Sequence, residues 1–441
     1  MKLIRHIIFS DIGNGTKLML NSLNGLMDKV DDYIFETISK WQQCDDIIPN
    51  GEDEVALLEN LKSRGYIVAN SAEEAAKKEI ILEQLRQKQA KSKANNRHLT
   101  FIMTYDCNFR CPYCFETELP HSKKTVMTPE LIDAAFDLVG DELQAICLFG
   151  GEPILPKNRA ALEYIISKAP DKAYAIITNG YYLEEFFDLI SKVNISGIMI
   201  TLDGDEETHN KRRYLANGKP TYSKIMAGIE KCLENDIPIC IRMNLDTSNV
   251  DNGNHLKTKL LDQFSRYKKL LTFEMTSLVN APTHEKIKIC ESLFTADVEF
   301  GVEERIQRNR VIGQFSPIVN AITVGAKPAP VYSFCYAHDS GYMVDPNGKI
   351  FPCILAVGRD ELAIGTYYPK VEFKENSIRN RNIDTIVECR DCTYSLLCGG
   401  GCAVRLNDYT DVFKPVCASI YNQMHELLPT LINVAAKKGA I

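Results

Sequence analysis

Ten of the fifteen cysteines lie in two arrays whose spacing is typical of metal binding. The first array is the triplet Cys107-x3-Cys111-x2-Cys114. The second array consists of Cys335, Cys353, Cys389, Cys392, Cys398, Cys402 and Cys417. Thiolates are soft ligands, and closely spaced cysteines can surround one iron–sulfur cluster with little chain. Together the arrays predict three such clusters, although the pair Cys389-x2-Cys392 alone would fit zinc about as well.

The triplet provides one thiolate fewer than a fully ligated four-iron cluster needs. Its three cysteines therefore predict an iron that is open to an exogenous ligand. Pro112 lies between the last two cysteines and cannot donate a helical backbone hydrogen bond. We therefore expect a loop, and not a helix, around the metal. An aromatic residue, Tyr113, directly precedes the third cysteine.

This loop resembles that of the radical S-adenosylmethionine (SAM) enzymes, whose CxxxCxxC motif often has an aromatic residue before its last cysteine. The resemblance implies that Cys107, Cys111 and Cys114 are catalytic and hold a [4Fe–4S] cluster whose open iron is chelated by SAM. It also implies that the reduced cluster splits SAM into methionine and a 5′-deoxyadenosyl radical, which removes a substrate hydrogen atom. Tyr113 is then a candidate SAM contact.

Glycines and polar residues follow successive apolar, strand-like runs downstream of the triplet. Because the carboxyl ends of parallel strands build the active site of a β/α barrel, we expect these residues to lie together. In the resembled family the Gly-Gly-Glu-Pro motif hydrogen-bonds the methionyl amine of SAM. The candidate SAM contacts are Gly150, Gly151, Glu152, Pro153, Thr178, Asn179, Thr201 and Asn244. His209 and Arg213, four residues apart, are expected to brace the rim of the barrel.

Strand-like runs alternate with helical stretches between residues 97 and 280, which favours β/α units and a parallel sheet. Six strands are evident, so we predict an α/β fold with a partial (β/α)6 TIM-type barrel. The predicted helices of this region are Thr128–Val139, Lys157–Lys168, Leu183–Lys192, Tyr222–Glu234 and Leu256–Tyr267. A further helix, Ala296–Arg310, is predicted beyond the barrel.

The second cysteine array resembles the seven-cysteine SPASM domain of radical SAM peptide and protein maturases. The resemblance implies two auxiliary [4Fe–4S] clusters. Auxiliary cluster I is assigned to Cys335, Cys353 and Cys402, and auxiliary cluster II to Cys389, Cys392, Cys398 and Cys417. The first of these sets lacks a fourth cysteine. An iron left open there would suit a substrate thiolate and hence carbon–sulfur bond formation; water or a remote Asp, Glu or His side chain is the alternative ligand.

Residues 1–70 contain no cluster motif and predict a domain of their own. Asp11–Gly15 is rich in hairpin-turn residues, and two helical stretches follow before Gly65. This order resembles the winged-helix-like element through which maturases of ribosomally made peptides bind a leader peptide as an added strand. A plain packing domain is the alternative. DNA binding is disfavoured because the net charge is −7 and no dense Lys/Arg stripe is present.

The predicted organisation has five parts. In order these are a leader-peptide recognition element at 1–70, a helical linker at 71–96, the radical SAM partial barrel at 97–280, a bridging region at 281–334 and the SPASM domain at 335–441. No signal peptide or membrane-spanning apolar run is evident, and the cysteine spacings favour a reducing cytoplasm.

These resemblances imply a radical SAM enzyme that cross-links a ribosomally synthesised precursor peptide, with a cysteine thioether as the favoured product. Its cofactors would be three [4Fe–4S] clusters and SAM, and its electron donor a flavodoxin or ferredoxin. Carbon–carbon cross-linking and formylglycine formation in sulfatases are the alternatives within the class. A zinc-binding scaffold or regulator is the alternative outside it.

Overall fold

The structure is a computed structural model that describes residues 1–95, 97–116, 125–300, 307–309, 327–338 and 341–437. Two units make up the chain. The first contains Met1–Ser92, Gly313–His338 and Asn380–Ile441, and the second contains Lys93–Ile312 and Asp339–Arg379. The predicted barrel lies in the second unit, whereas residues 335–441 contribute to both units. The division into five domains stays a prediction.

The strands β1 to β16 are short and are numbered in chain order. They are Lys2–Leu3, Ile7–Gly13, Thr16–Asn21, Met27–Asp31, Ile67–Val68, His98–Ile102, Ala145–Phe149, Ala173–Thr178, Asn194–Thr201, Ile239–Leu245, Leu271–Ser277, Gln307–Asn309, Tyr342–Val344, Lys349–Phe351, Gly365–Thr366 and Glu372–Phe373.

The α-helices α1 to α13 follow the same numbering. They are Asp32–Trp41, Gly51–Ser63, Ser71–Asn95, Pro129–Val139, Arg159–Lys168, Phe187–Ile190, Glu206–Arg212, Tyr222–Glu234, Val250–Gln263, Thr283–Phe300, Ser395–Cys398, Ala418–Asn422 and Leu428–Lys437. A π-helical turn, Gln423–Leu427, connects the last two helices. None of the helices in the described residues is both long and apolar enough to span a membrane.

One sheet of eleven strands dominates the second unit. Its order is β12-β11-β10-β9-β8-β7-β6-β13-β14-β15-β16. Pairing is parallel from β12 through to β13 and antiparallel beyond it. The predicted α/β fold with six parallel strands, β6 to β11, is confirmed. The strands β12 and β13 extend the parallel part at its two ends.

The helix predicted over Ala296–Arg310 is wrong in its second half. Helix α10 ends at Phe300, and Gln307–Asn309 form β12, with Arg308 paired to Glu274 of β11. Residues 301–306 and Arg310 lie outside the described residues. The outer backbone groups of β11 need hydrogen-bond partners, and pairing with them outweighs local helix propensity.

The helices predicted inside the barrel are mostly confirmed. Thr128 caps α4 as expected, since its hydroxyl accepts the Leu131 N–H at 3.4 Å. The helix predicted over Leu183–Lys192 is reduced to α6, Phe187–Ile190. The preceding residues form turns in which the Leu183 side chain packs against Gly228 of α8. This tertiary contact overrides a weak local preference.

The N-terminal residues form the three-stranded antiparallel sheet β2-β3-β4 and the separate pair β1-β5. The predicted hairpin turn is confirmed, because Asn14 and Gly15 connect β2 to β3 with φ values of 54° and 65°. The hydrophobic core beneath these elements includes Trp41 and Tyr66, and it also contains Ile386 and Leu396 from the cysteine-rich tail. The first unit therefore joins both ends of the chain around one core.

The turn Asn347-Gly348 connects β13 to β14 as predicted, with a φ of 81° at Gly348. Strand β13 pairs in parallel with β6, and Tyr342 is the register partner of Leu99. Gly341 precedes β13 and lies directly against the backbone of His98. The hairpin is thus attached to the strand from which the first cysteine loop departs.

We expect Gly341→Ala to disturb the pairing of β6 with β13. A Cβ atom at this position would lie 1.9 Å from the His98 carbonyl oxygen, so the free energy of unfolding should fall by about 1–3 kcal/mol, as at overpacked sites. Gly197→Ala is the matched control, because its nearest neighbour, the Pro238 carbonyl oxygen, would be 4.0 Å away. Urea unfolding followed by circular dichroism measures both. Equal midpoints for Gly341→Ala and the wild type would contradict this packing.

Candidate active site and cluster ligands

Cys107, Cys111 and Cys114 lie in the loop that follows β6, and their thiols are close enough to interact electrostatically. The Phe109 N–H donates to Cys107 Sγ at 3.4 Å. Burial raises the pKa of all three thiols. Thiols in such a place ionise only when a positive partner compensates for the lost water. A bound iron cluster would be such a partner, so the loop fits the predicted ligand set.

The glycines of the Gly150–Pro153 motif lie against the backbone of this cysteine loop. The Gly151 N–H donates to the Thr104 carbonyl at 2.8 Å, and the Glu152 N–H donates to the Asp106 carbonyl at 2.9 Å. A Cβ atom at Gly151 would lie 2.3 Å from the Asp106 carbonyl oxygen. Glycine is therefore required here because another segment of the chain approaches. The sequence predicted close approach to a ligand, and the structure shows close approach to the cysteine loop.

Glu152 draws the predicted residues of two strand ends together. Its carboxylate is 1% exposed and accepts hydrogen bonds from Thr178 Oγ1 at 2.5 Å and the Asn179 N–H at 2.7 Å. Asn179 Nδ2 in turn donates to Asn108 Oδ1 at 2.8 Å and lies 3.8 Å from Cys107 Sγ. Burial raises the pKa of Glu152 to about 7, although these hydrogen bonds oppose the rise.

Tyr113 connects the cysteine loop to the residues beyond β9. Its hydroxyl donates a short hydrogen bond to Asp203, which is 0% exposed. Arg213 Nη1 donates to the same hydroxyl at 2.9 Å. The Arg212 guanidinium lies over the Tyr113 ring, 5.1 Å from its centroid. These contacts hold the aromatic ring and the third cysteine of the motif in one place.

Thr201 and Asn244 lie at the carboxyl ends of β9 and β10, the same edge as the other predicted contacts. The Asn244 N–H donates to Asp203 Oδ1 at 3.1 Å, and its carbonyl accepts from Arg212 Nη2 at 3.2 Å. Arg212 also pairs with Asp246 at 2.6 Å. Sequence reasoning missed Arg212 and Asp246. The available indication was that acidic residues follow β9 and β10 and that a Lys-Arg-Arg run lies nearby in the sequence.

His209 and Arg213 have different roles. His209 braces the rim as predicted: it is fully buried, and its Nε2 lies 3.1 Å from Thr221 Oγ1. Burial lowers the pKa of His209 well below its usual value. Arg213 instead belongs to the site, because its charge interacts with Cys111 and Cys107. Its Nε has no hydrogen-bond partner in the described part of the chain.

Glu116 is a further site residue that sequence reasoning missed. It follows Cys114 by two positions, and its Oε1 is buried without a hydrogen-bond partner among the described residues. Burial, together with the neighbouring Glu152 carboxylate, raises the pKa of Glu116 to about 7. A carboxyl group with this pKa can accept or release a proton near neutral pH.

The four cysteines assigned to auxiliary cluster II all lie in the first unit and interact electrostatically. Burial raises the pKa of Cys389 to about 12 and that of Cys398 to about 11. In the described residues no three His, Cys, Asp or Glu side chains converge on a single metal ion. A four-iron cluster spreads its ligands over separate irons, so this wider spacing does not conflict with it. Ligation stays a prediction.

The set assigned to auxiliary cluster I is divided between the units. Cys335 and Cys402 lie in the first unit, near the Arg381 guanidinium. Cys353 follows β14 in the second unit and is buried. All fifteen cysteines are among the described residues, and none of them forms a disulfide. Their thiols therefore remain chemically available for metal ligation.

The other five cysteines are not alike. Cys232 and Cys290 are buried. Cys147 and Cys240 are half-buried on strands of the barrel. Cys44 is exposed and follows α1 by three residues.

Residues 101–251 match the family model described as the radical SAM superfamily. The chain is 25% identical over 380 residues to the cysteine-type anaerobic sulfatase-maturating enzyme of Clostridium perfringens, covering 75% of this chain and 95% of that enzyme. It is 24% identical over 330 residues to the corresponding enzyme of Clostridium novyi, covering 67% of this chain and 85% of that one.

Solved structures are similar in fold. The structure described as native anSMEcpe with bound AdoMet and Kp18Cys peptide has a TM-score of 0.57 at 19% identity, covering 77% of this chain and 99% of its own. Streptococcus suis SuiB bound to the precursor peptide SuiA has a TM-score of 0.54 at 13% identity, covering 95% and 99%. At these identities the likeness concerns the fold alone.

We expect ionisation of Glu152 to destabilise the cluster-free protein. Its folded-state pKa of about 7 lies above the usual 4.5, so the free energy of unfolding is highest below pH 4.5 and falls until about pH 7. At about 1.4 kcal/mol per pH unit the loss is roughly 3 kcal/mol. Urea unfolding from pH 4.5 to 7.5 should show this fall in wild type and in the exposed-site control Glu184→Gln. The same slope in Glu152→Gln would contradict it.

Removal of the Tyr113 hydroxyl should weaken the network between the cysteine loop and β9. Tyr113→Phe leaves the buried Asp203 carboxylate without one donor, and we expect the free energy of unfolding to fall by about 1–3 kcal/mol. Tyr164→Phe is the control, since that hydroxyl also donates to an aspartate, Asp133, at 2.9 Å, but this hydrogen bond is only partly buried, whereas Asp203 is 0% exposed. Thermal unfolding measures both variants, and we expect the lower midpoint temperature in Tyr113→Phe. Equal midpoint temperatures would argue against the network.

Proposed function

From the radical SAM domain that this chain contains, we propose that the protein matures a ribosomally synthesised precursor peptide and forms a thioether between a cysteine and a carbon atom of that peptide. One observation carries this proposal. The N-terminal sheet and the cysteine-rich tail share a hydrophobic core, which includes Trp41, Tyr66, Ile386 and Leu396. This shared core supports our inference that the proposed leader-binding element is part of the unit that would carry auxiliary cluster II.

When bound, the iron cluster and SAM supply a 5′-deoxyadenosyl radical that removes a hydrogen atom from the peptide. Cys107, Cys111 and Cys114 would hold that cluster. Glu152 is buried, and a nearby cation would stabilise its ionised carboxylate. We therefore propose that Glu152 binds the methionyl amine of SAM. Arg213 has an Nε–H without an acceptor in the described residues. A carboxylate is the acceptor that a guanidinium prefers, so we assign it to the methionyl carboxylate.

Thioether formation removes one hydrogen from the peptide carbon and one from the cysteine thiol, so the product is two hydrogens lighter. One electron is left over when the sulfur–carbon bond forms. The auxiliary cysteines are proposed to hold the carriers that accept it, and a flavodoxin or ferredoxin is the proposed donor of the first electron. Glu116 is the proposed proton acceptor, because its pKa of about 7 suits that role near neutral pH.

We assign leader binding to the outer side of β4. In the sheet β2-β3-β4 the central strand is β3. Helix α13 contacts β2, and Ser10 Oγ of β2 donates to the Met424 carbonyl at 2.6 Å. The outer backbone groups of β4, Met27–Asp31, pair with no strand among the described residues. An extended peptide can add there through backbone hydrogen bonds.

Formylglycine formation on a sulfatase cysteine is the second candidate. The 25% identity to the Clostridium perfringens enzyme favours it. Against it, the outer edge of β4 in the N-terminal sheet pairs with no strand among the described residues. A fold likeness that covers 95% of the chain is also found with a protein solved with its precursor peptide. Carbon–carbon cross-linking and a zinc-binding role are further alternatives, which metal content and product mass distinguish.

The test is anaerobic incubation of the reconstituted enzyme with SAM, a strong reductant and one of three peptides. These are the precursor encoded beside the enzyme, the same precursor without its leader, and a cysteine-containing sulfatase peptide. We expect a loss of two hydrogens localised to a cysteine and a non-cysteine carbon by tandem mass spectrometry, at least tenfold faster with the leader. If only the sulfatase peptide is converted, the function is formylglycine formation and not thioether formation.

Cys111→Ala should abolish 5′-deoxyadenosine formation, because it removes one of only three proposed ligands of the SAM-binding cluster. Cys44→Ala, which alters an exposed cysteine outside both arrays, should retain it. Chromatography of the quenched reactions measures the nucleoside, and iron analysis reports cluster loading. Wild-type activity in Cys111→Ala, or a zinc-containing wild type without iron, would refute the proposed chemistry.

A further inference from the structure

Arg381 is a buried cation within the cysteine-rich tail. Its side chain is 0% exposed. The two terminal nitrogens donate short hydrogen bonds to the carbonyls of Gly401 and Gly400, and Nη2 also donates to the Lys414 carbonyl at 2.7 Å. Its Nε is buried and has no hydrogen-bond partner in the described part of the chain. A buried charge whose hydrogen-bonding groups are only partly paired destabilises the fold, so we expect nearby negative charge to compensate for it.

The loop that Arg381 holds is Gly399–Gly401, which connects Cys398 to Cys402. All three glycines have positive φ values, 63°, 87° and 76°. A Cβ atom at Gly400 would lie 2.4 Å from Ile386 Cδ1, and one at Gly401 would lie 2.3 Å from the Val416 carbonyl oxygen. No larger residue fits, so the backbone of this loop closes tightly around the guanidinium.

This loop separates cysteines that are assigned to different clusters. Cys398 belongs to the set of auxiliary cluster II, and Cys402 belongs to that of auxiliary cluster I. The Arg381 charge interacts with Cys389 and Cys398 of the one set and with Cys402 and Cys335 of the other. All of these residues lie in the first unit. The guanidinium does not lose its proton in proteins, so its charge is constant.

We propose that Arg381 is a positioning residue shared by both auxiliary clusters: it fixes the loop between Cys398 and Cys402, and its charge stabilises the reduced form of each cluster. The inference rests on the auxiliary clusters of the proposed function. Reduction adds negative charge at a site of low dielectric constant, where a fixed cation acts strongly. Net charge and hydrogen bonding are among the properties that set the reduction potential of such clusters.

The experiment compares Arg381→Gln with Arg381→Lys in a chain whose Cys107, Cys111 and Cys114 are all replaced by alanine. Any iron that remains after anaerobic reconstitution is then auxiliary. Midpoint potentials are read from redox titrations followed by electron paramagnetic resonance. Arg390→Gln is the control, because Arg390 is exposed and one residue from Cys389, where solvent and salt screen its charge.

We expect Arg381→Gln to make reduction of both auxiliary clusters at least tenfold less favourable, a shift of about 59 mV to more negative potential. Arg381→Lys should shift less, because it keeps the charge, and Arg390→Gln should not shift measurably. If Arg381→Gln binds no iron, the iron content of the two variants is compared instead of their potentials. Iron bound by Arg381→Lys but not by Arg381→Gln supports the proposal.

Three outcomes overturn the role of Arg381. They are unchanged potentials in Arg381→Gln, equal shifts in the glutamine and lysine variants, and equal loss of iron in both. Absence of iron from the triple-alanine chain that still has Arg381 would have a different meaning. It would remove the auxiliary clusters themselves, and with them that part of the proposed function.

Discussion

The contact between two backbone segments, Gly150–Glu152 and Thr104–Asp106, is the constraint on which the site depends. Two hydrogen bonds join the segments, and a Cβ atom at Gly151 would come within 2.3 Å of a carbonyl oxygen. With the segments in contact, the Glu152 side chain accepts hydrogen bonds from Thr178 and Asn179, and Asn179 Nδ2 lies close to Sγ of the first cysteine of the motif. A side chain on either glycine would separate the cysteine loop from the residues proposed to bind SAM.

Each cysteine array has a buried arginine beside it. Arg213 interacts with Cys111 and Cys107, and Arg381 interacts with cysteines of both auxiliary sets. In both arginines Nε lacks a hydrogen-bond partner among the described residues. Burial raises the pKa of Cys107, Cys111, Cys389 and Cys398, so these neighbouring thiols contribute less negative charge in the cluster-free protein. Anionic, thiolate-ligated clusters would supply the missing negative charge, and protein and cofactor would then stabilise one another.

We assign two roles, leader binding and electron transfer, to the first unit, whose elements share one hydrophobic core. The outer edge of β4, to which we assign leader binding, pairs with no strand among the described residues, and α13 contacts β2 on the other side of the sheet. The tail that carries Cys389 contributes to the same hydrophobic core as Trp41 and Tyr66. A peptide captured at the sheet is therefore captured by the body that is proposed to carry electrons.

The sequence by itself determined the radical SAM resemblance and the α/β fold, because the cysteine spacing, the glycine motif after β7 and the β/α alternation are local patterns that can be recognised in the chain. Tertiary structure decided the rest. It placed Arg213 at Tyr113, and Glu116 near Glu152, because those partners are distant in sequence or lack a periodic pattern. It also turned Gln307–Asn309 into a strand and joined residues 1–68 to the cysteine tail, since sheet edges and shared cores depend on contacts that no local segment encodes.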